Sequence, residues 1–207
     1  MTTPHNAPEH LVTVEEFLAG PPDAFGEIHD GLLIECMAQS PAHDIVVRRL
    51  VSELEYAIDP SGPCRQVHSD TPVRLADAEG VDASRRLRAR YPDVLLRDCS
   101  EGGYGGYDLQ TVAGQTLLVA EVTSDSTVDT DIGLKRELYA RAGIPVYLVV
   151  HFDKDWQQIT EIEEYRLDWS GRRYVVRHTH TDALVLTDPV RLAVTFVELQ
   201  SPLPPRR

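Results

Sequence analysis

Residues 117–126 read LLVAEVTSDS. Apolar and small side chains run from Leu117 to Val122, and a single carboxylate, Glu121, interrupts them. A short apolar run that ends in turn-forming Ser and Asp reads as a buried strand. Taking an unpaired carboxylate out of water costs on the order of several kcal/mol, so such a strand keeps Glu121 only if it has a partner. The candidates are a buried cation, a set of N–H donors, or a metal.

The flanking sequence places this strand in a fold. Downstream, STVDTDIGLKRELYARAGIP (126–145) predicts a helix that stops at Gly143, followed by apolar Ile144 and then Pro145. PVYLVV (145–150) predicts a second short buried strand. Strand, helix and strand over 116–150 make a crossover unit joining two parallel strands. Upstream, YPDVLLRD (91–98) predicts another short strand, and CRQVHSDTPVRLA (64–76) a further one. A polar loop covers 77–90, and the glycine-rich EGGYGGYDLQ (101–110) reads as a flexible loop.

Nearer the N-terminus, SPAHDIVVRRLVSELEYAI (40–58) predicts a helix with Ser40 as N-cap and Pro41 at its first position. Val47, Leu50, Val51, Leu54 and Ile58 form its apolar stripe. FGEIHDGLLIECMA (25–38) predicts a hairpin turning at Asp30-Gly31. TVEEFLAG (13–20) predicts a short helix with a Thr13–Glu16 capping box. From Gln157 onward the pattern alternates as in antiparallel strands, with DWSGRR (168–173) as a turn. The expected organisation is a frayed segment 1–10, one α/β domain over 11–199 with antiparallel hairpin additions, and a Pro-rich tail 200–207.

The chain of 207 residues is 42% hydrophobic, which suits one medium domain with a core. Its formal net charge is −13, so its field as a whole repels nucleic acid and anionic membranes. A nucleic-acid function therefore needs a local basic patch or bound cations. Cys36, Cys64 and Cys99 lack C-x-x-C spacing, which predicts neither a disulfide framework nor a zinc site and points to a reducing compartment. No basic apolar leader opens the sequence and no apolar run approaches ~18 residues, so a cytoplasmic protein without a membrane span is expected. No glycine-rich phosphate motif follows any strand.

Two more polar residues stand where apolar ones belong. Asp93 opens the strand Val94-Leu95-Leu96. Lys135 shares the core-facing stripe of its helix with Leu138, Tyr139 and Ala142. Two carboxylates on neighbouring strands make a hard-oxygen site that suits Mg²⁺, and a nearby lysine can stabilise charge building on a phosphate. That combination serves metal-assisted phosphodiester hydrolysis. The structural alternatives are that Asp93 and Glu121 pair with a buried cation or cap backbone N–H groups, and that Lys135 pairs with Asp131 on its own helix.

Pro92-Asp93, then EVTSDS, then a helix containing KRELYARAGIPVY, resembles the Uma-type (Uma-two) restriction endonucleases of the PD-(D/E)XK nuclease superfamily. The resemblance extends from FGEIHDGLLIE and SPAHDIVVRRL to about Tyr165. It implies a restriction-endonuclease-like fold, a mixed sheet flanked by helices, and a Mg²⁺-dependent site acting on DNA, with Mn²⁺ as a substitute. Asp93 and Glu121 match the acidic ligands, and the Val122 carbonyl is implied as a further one. The superfamily lysine position holds Thr123, and Lys135 matches a lysine displaced onto the following helix. Tyr147 is retained, while Leu148 stands at a tryptophan position. Glu27 matches an acidic position of the family, against the alternative of a solvent-facing hairpin residue.

Four further readings stay open at this point. His43, in the first turn of its helix, either touches a phosphate or water, or is a satisfied core histidine. Arg85, Arg86, Arg88 and Arg90 in SRRLRARYPD either hold a phosphate backbone beside Asp93 or form a solvated loop. His178 and His180 share a strand face but lack a visible third metal ligand. A homodimer would place two symmetric sites on a duplex. The competing functions are a catalytically inactive nuclease fold that binds nucleic acid or protein, and an interaction protein in which Asp93, Glu121 and Lys135 form a purely structural network.

Overall fold

A computed structural model describes residues 11–13, 15–16, 26–29, 31–35, 39–75, 88–99, 113–123, 128–155 and 157–202. Strands β1 (Gly26–His29) and β2 (Leu32–Glu35) form the expected antiparallel hairpin, and Gly31 at φ +89° occupies the left-handed region its turn requires. Helix α1 (Pro41–Ala57) begins as predicted, with the Ser40 hydroxyl accepting from the His43 amide. The Thr13–Glu16 capping box is present in both directions, while the rest of that expected helix lies outside the described residues. So do Asp30 and the loop 101–110.

The central sheet has six strands. β3 is Arg65–His68, β6 is Val94–Asp98, β7 is Thr116–Val122, β8 is Val146–Phe152, β9 is Ile159–Leu167 and β10 is Tyr174–His180. Their order is β10-β9-β8-β7-β6-β3. β7 and β8 run parallel, joined by helix α2 (Val128–Arg141), and the other pairs are antiparallel. α2 ends at Gly143 (φ +79°), where the Gly143 amide donates to Ala140 O and the Ile144 amide to Tyr139 O. A second sheet, β2-β1-β5-β4, adds the short strands β4 (Val73–Arg74) and β5 (Ala89–Arg90). Strands β11 (Ala183–Leu186) and β12 (Leu192–Thr195) pair and lead into the single turn α3 (Phe196–Leu199), a helix that the alternating pattern concealed.

The pleat of β7 sorts its side chains onto two cores. Leu118, Ala120 and Val122 join Val46, Leu50 and Leu54 of α1 and residues of β11 and β12. Val119 faces the other way and packs with Val149, Tyr147 and the α2 residue Tyr139. Glu121 shares the parity of Val119, so the carboxylate is directed at α2.

Two expectations are corrected here. The stretch 64–76 is two strands in two different sheets, separated by Asp70 in the left-handed region (φ 49°). Cys64 and Cys99 form a disulfide, with Cα atoms 5.4 Å apart. Antiparallel pairing of Arg65 with Asp98 is what brings them together, and sequence spacing carries no trace of it. The inference of a reducing compartment loses its support with the disulfide. No helix among the described residues is long and apolar enough to cross a membrane.

Candidate active site

The site forms where five elements meet beside the C-terminal end of β7. Asp93 stands just ahead of β6, which pairs with β7 through Val94↔Ala120. Its Oδ2 accepts the Val122 amide at 2.6 Å, and His43 Nε2 of α1 lies 3.2 Å from the same oxygen. Glu121 is gripped by two side chains one helical turn apart on α2. Lys135 Nζ lies 3.0 Å from Oε2, and the Tyr139 hydroxyl donates to Oε1 at 2.8 Å. From the hairpin sheet, Glu27 Oε1 approaches the same Lys135 Nζ at 3.1 Å.

Arg90 supports Glu27 from behind. Its Nε lies 3.6 Å from Glu27 Oε2, and its terminal nitrogen donates to Ile28 O at 2.7 Å and to Ala89 O at 3.2 Å. Glu27, His43, Arg90, Asp93, Glu121 and Lys135 are all buried. Burying this many charges in one place is tolerable only because acids and bases alternate.

The pairing does not offset the burial of Glu121. Burial pushes its carboxyl up to about 8; Lys135 opposes the shift, the charges of Asp93 and Glu27 add to it, and the Tyr139 hydrogen bond opposes it. Burial likewise holds the Tyr139 phenol well above its ordinary range, reinforced by the carboxylates of Glu121 and Glu27. For His43 burial disfavours the charged ring, but Asp93 and Asp44 outweigh it and raise its pKa. The exposed Asp70 is also raised, by desolvation and by the negative charge of Asp93.

Among the described residues no group of three or more His, Cys, Asp or Glu side chains is gathered to hold a metal unaided. Mg²⁺ asks for less, since one or two carboxylates suffice while waters fill the remaining positions. Asp93 and Glu121 supply the carboxylates, and a cation beside them relieves the repulsion and desolvation that lift Glu121. The donor set therefore fits Mg²⁺.

The sequence expectations fare unevenly. Glu27, His43, Asp93, Glu121, Val122 and Lys135 come together. Glu27 is no solvent-facing hairpin residue, because pairing of β1 with β5 turns its side chain inward to Lys135. The Asp131 side chain lies outside the described residues, and Lys135 is engaged by Glu121 and Glu27. Arg85 and Arg86 also lie outside them, and Arg88 is half-buried. Arg90 is a correction: at 1% exposure, bonded to Ile28 O and facing Glu27, it braces the site rather than reaching out to a phosphate. The His178 and His180 rings touch, with centroids 4.5 Å apart, and His180 Nε2 lies 3.2 Å from Glu164. Leu148 is core, and Thr123 is buried with its amide donating to Val150 O. Tyr139 was overlooked, since a tyrosine on an apolar stripe reads as packing; its place one turn after Lys135 was the available signal.

Three comparisons bear on identity. No curated protein matches the chain. A crystal structure from Anabaena variabilis, of a "putative nuclease belonging to DUF820", superposes with a TM-score of 0.65 at 16% identity, covering 92% of this chain and 98% of that one. At that identity the likeness shows the shared fold. The Uma2 family model, described as "putative restriction endonuclease", matches residues 14–199, which takes in every residue of the site, and the chain belongs to the Uma2 family.

Proposed function

We propose that the protein is a Mg²⁺-dependent endonuclease that hydrolyses DNA phosphodiester bonds, with Mn²⁺ as a substitute. The observation that carries this reading is the convergence of Glu121 and Glu27 on Lys135, with Asp93 held beside them by the Val122 amide, from separate elements of the fold. Asp93 and Glu121, with the Val122 carbonyl, would hold the cation, which neutralises phosphate charge and acidifies a water when bound. The Val122 amide fixes Asp93, so that carboxylate is oriented before any ligand arrives. Lys135 stabilises the negative charge that builds on the phosphate oxygens as the bond to phosphorus forms. Glu27 holds the ammonium in place, and Arg90 holds Glu27. His43, favoured in its charged form by Asp93, offers a proton or a hydrogen bond at the rim of the site. In the overall step water oxygen bonds to phosphorus, the bond to the leaving sugar oxygen breaks, and one water proton ends on that oxygen.

The test is cleavage of supercoiled plasmid with Mg²⁺ or Mn²⁺. Wild type should nick or linearise it, and Asp93→Asn should cut at least ~100-fold more slowly. A folded protein that binds Mn²⁺ but leaves plasmid intact would favour the second reading, a catalytically inactive nuclease fold used for binding. Thr123 at the superfamily lysine position and the net charge of −13 support that alternative.

A further inference from the structure

We propose that Tyr139 is a positioning residue for Glu121: its buried hydroxyl holds Oε1 and thereby reserves Oε2 for cations. The inference rests on the metal reading above. In the structure Oε2 faces the Lys135 ammonium at 3.0 Å, while Oε1 takes the phenol at 2.8 Å. The two oxygens of one carboxylate thus have different neighbours, one charged and one neutral.

The phenol is itself tightly placed. Tyr139 is fully buried, and its carbonyl accepts the Ile144 amide in the turn that ends α2. Its ring meets Tyr147 of β8 edge-on, with centroids 5.5 Å apart. Tyr147 stacks in turn against Tyr165 at 5.8 Å and Tyr174 at 5.7 Å. The aromatic cluster therefore pins the hydroxyl from the helix side and the sheet side together. A glutamate has rotatable torsions beyond Cβ, and a fixed donor on one oxygen removes most of that freedom before a cation binds. A neutral donor suits this role better than a second lysine or an arginine, since it adds no positive charge to compete with the metal. Spacing supports the pairing, because Lys135 and Tyr139 lie one turn apart on α2 and reach the same carboxylate.

The experiment compares the Tyr139→Phe and Tyr174→Phe full-length proteins by calorimetric titration with Mn²⁺ alone. Tyr139→Phe keeps the ring and removes only the donor to Glu121. Tyr174→Phe removes a hydroxyl from the same cluster, one that donates to Ile144 O at 2.7 Å and does not touch Glu121. Loss of a group that orients a ligand weakens metal binding by about 10–100-fold, and that is expected for Tyr139→Phe, with Tyr174→Phe matching wild type. Unchanged affinity in Tyr139→Phe overturns the proposal, as does equal weakening in both variants, which would mean general loosening of the cluster. Wild type that binds no Mn²⁺ overturns the metal reading itself, and this proposal with it. Should Tyr139→Phe fail to fold, 3-fluorotyrosine placed at residue 139 alone serves instead. Its fluorine signal should shift on Mg²⁺ titration, and an unshifted signal in protein that binds Mg²⁺ by calorimetry overturns the assignment.

Discussion

Two buried glutamates in the same sheet have met opposite fates. Glu164 on β9 has Arg166 Nε 2.6 Å from one oxygen and His180 Nε2 3.2 Å from the other. Glu121 on β7 also has a partner on each oxygen, but its cation, Lys135, is shared with Glu27, and the charge of Asp93 presses on it as well. Glu164 sits in a locally supplied ion network that runs on through Arg166 to Asp188. Glu121 sits with Glu27 and Asp93 in a buried cluster whose acids share their bases, and burial weighs on it most. A buried carboxylate is therefore no sign of function by itself.

The sharpest way to break this contrast is to remove the shared cation. Lys135→Met keeps the aliphatic stem, leaves Glu27 and Glu121 facing each other, and should destabilise the protein by roughly 3–5 kcal/mol at pH 8 in urea melts. At pH 5 the loss should be smaller, because a protonated Glu121 no longer needs the ammonium. An equal loss at both pH values would mean that the charge of Glu121 is not what Lys135 balances.

Divalent metal comes next in size. Mg²⁺ at about 100 times its Kd should stabilise wild type by about 2.7 kcal/mol, read as a rise in melting temperature. Glu121→Gln should abolish the rise, and Glu164→Gln should keep it. A rise that survives Glu121→Gln would move the metal elsewhere in the molecule.

The smallest effect, taken per pH unit, is the slope of stability with pH without metal. The folded-state pKa of Glu121 lies above its unfolded value, so the native state holds a proton that the unfolded chain has released. This contribution to stability is complete below the unfolded value and is lost as pH rises through about 8. Between pH 5 and 8 wild-type stability should fall relative to Glu121→Gln, by at most about 1.4 kcal/mol per pH unit for one group. Parallel profiles for the two proteins would show that Glu121 ionises freely.

Much of this was legible in sequence because the site breaks local rules. Glu121 stood out against an apolar strand, Asp93 against the start of another, and Lys135 against a core-facing stripe. The α2 terminus was legible at Gly143 for the same reason, since its chemistry is local. Glu27 remained open because its partner comes from the far side of the fold, and a hairpin pattern says nothing about which face another sheet will cover. Arg90 was misread because it ends a basic run, where its neighbours hide the fact that β5 slots between β1 and β4. Tyr139 left no mark, since a tyrosine satisfies an apolar stripe whether or not its hydroxyl has work to do. The disulfide depended wholly on strand pairing.

Lys135 has one more consequence. Ile28 and Ala89 form a small apolar cluster of their own with Val12 and Leu33, separate from the two larger cores. At this seam the hairpin sheet meets α2 through the bond from Glu27 to Lys135. The ammonium is thus a fastener between the hairpin sheet and α2. A hairpin arm exchanged between relatives, or lengthened to meet a different substrate, cannot be judged on its strand pattern alone. It must also return an acid to the place of Glu27, or the new arm will lose its ion pair to the lysine.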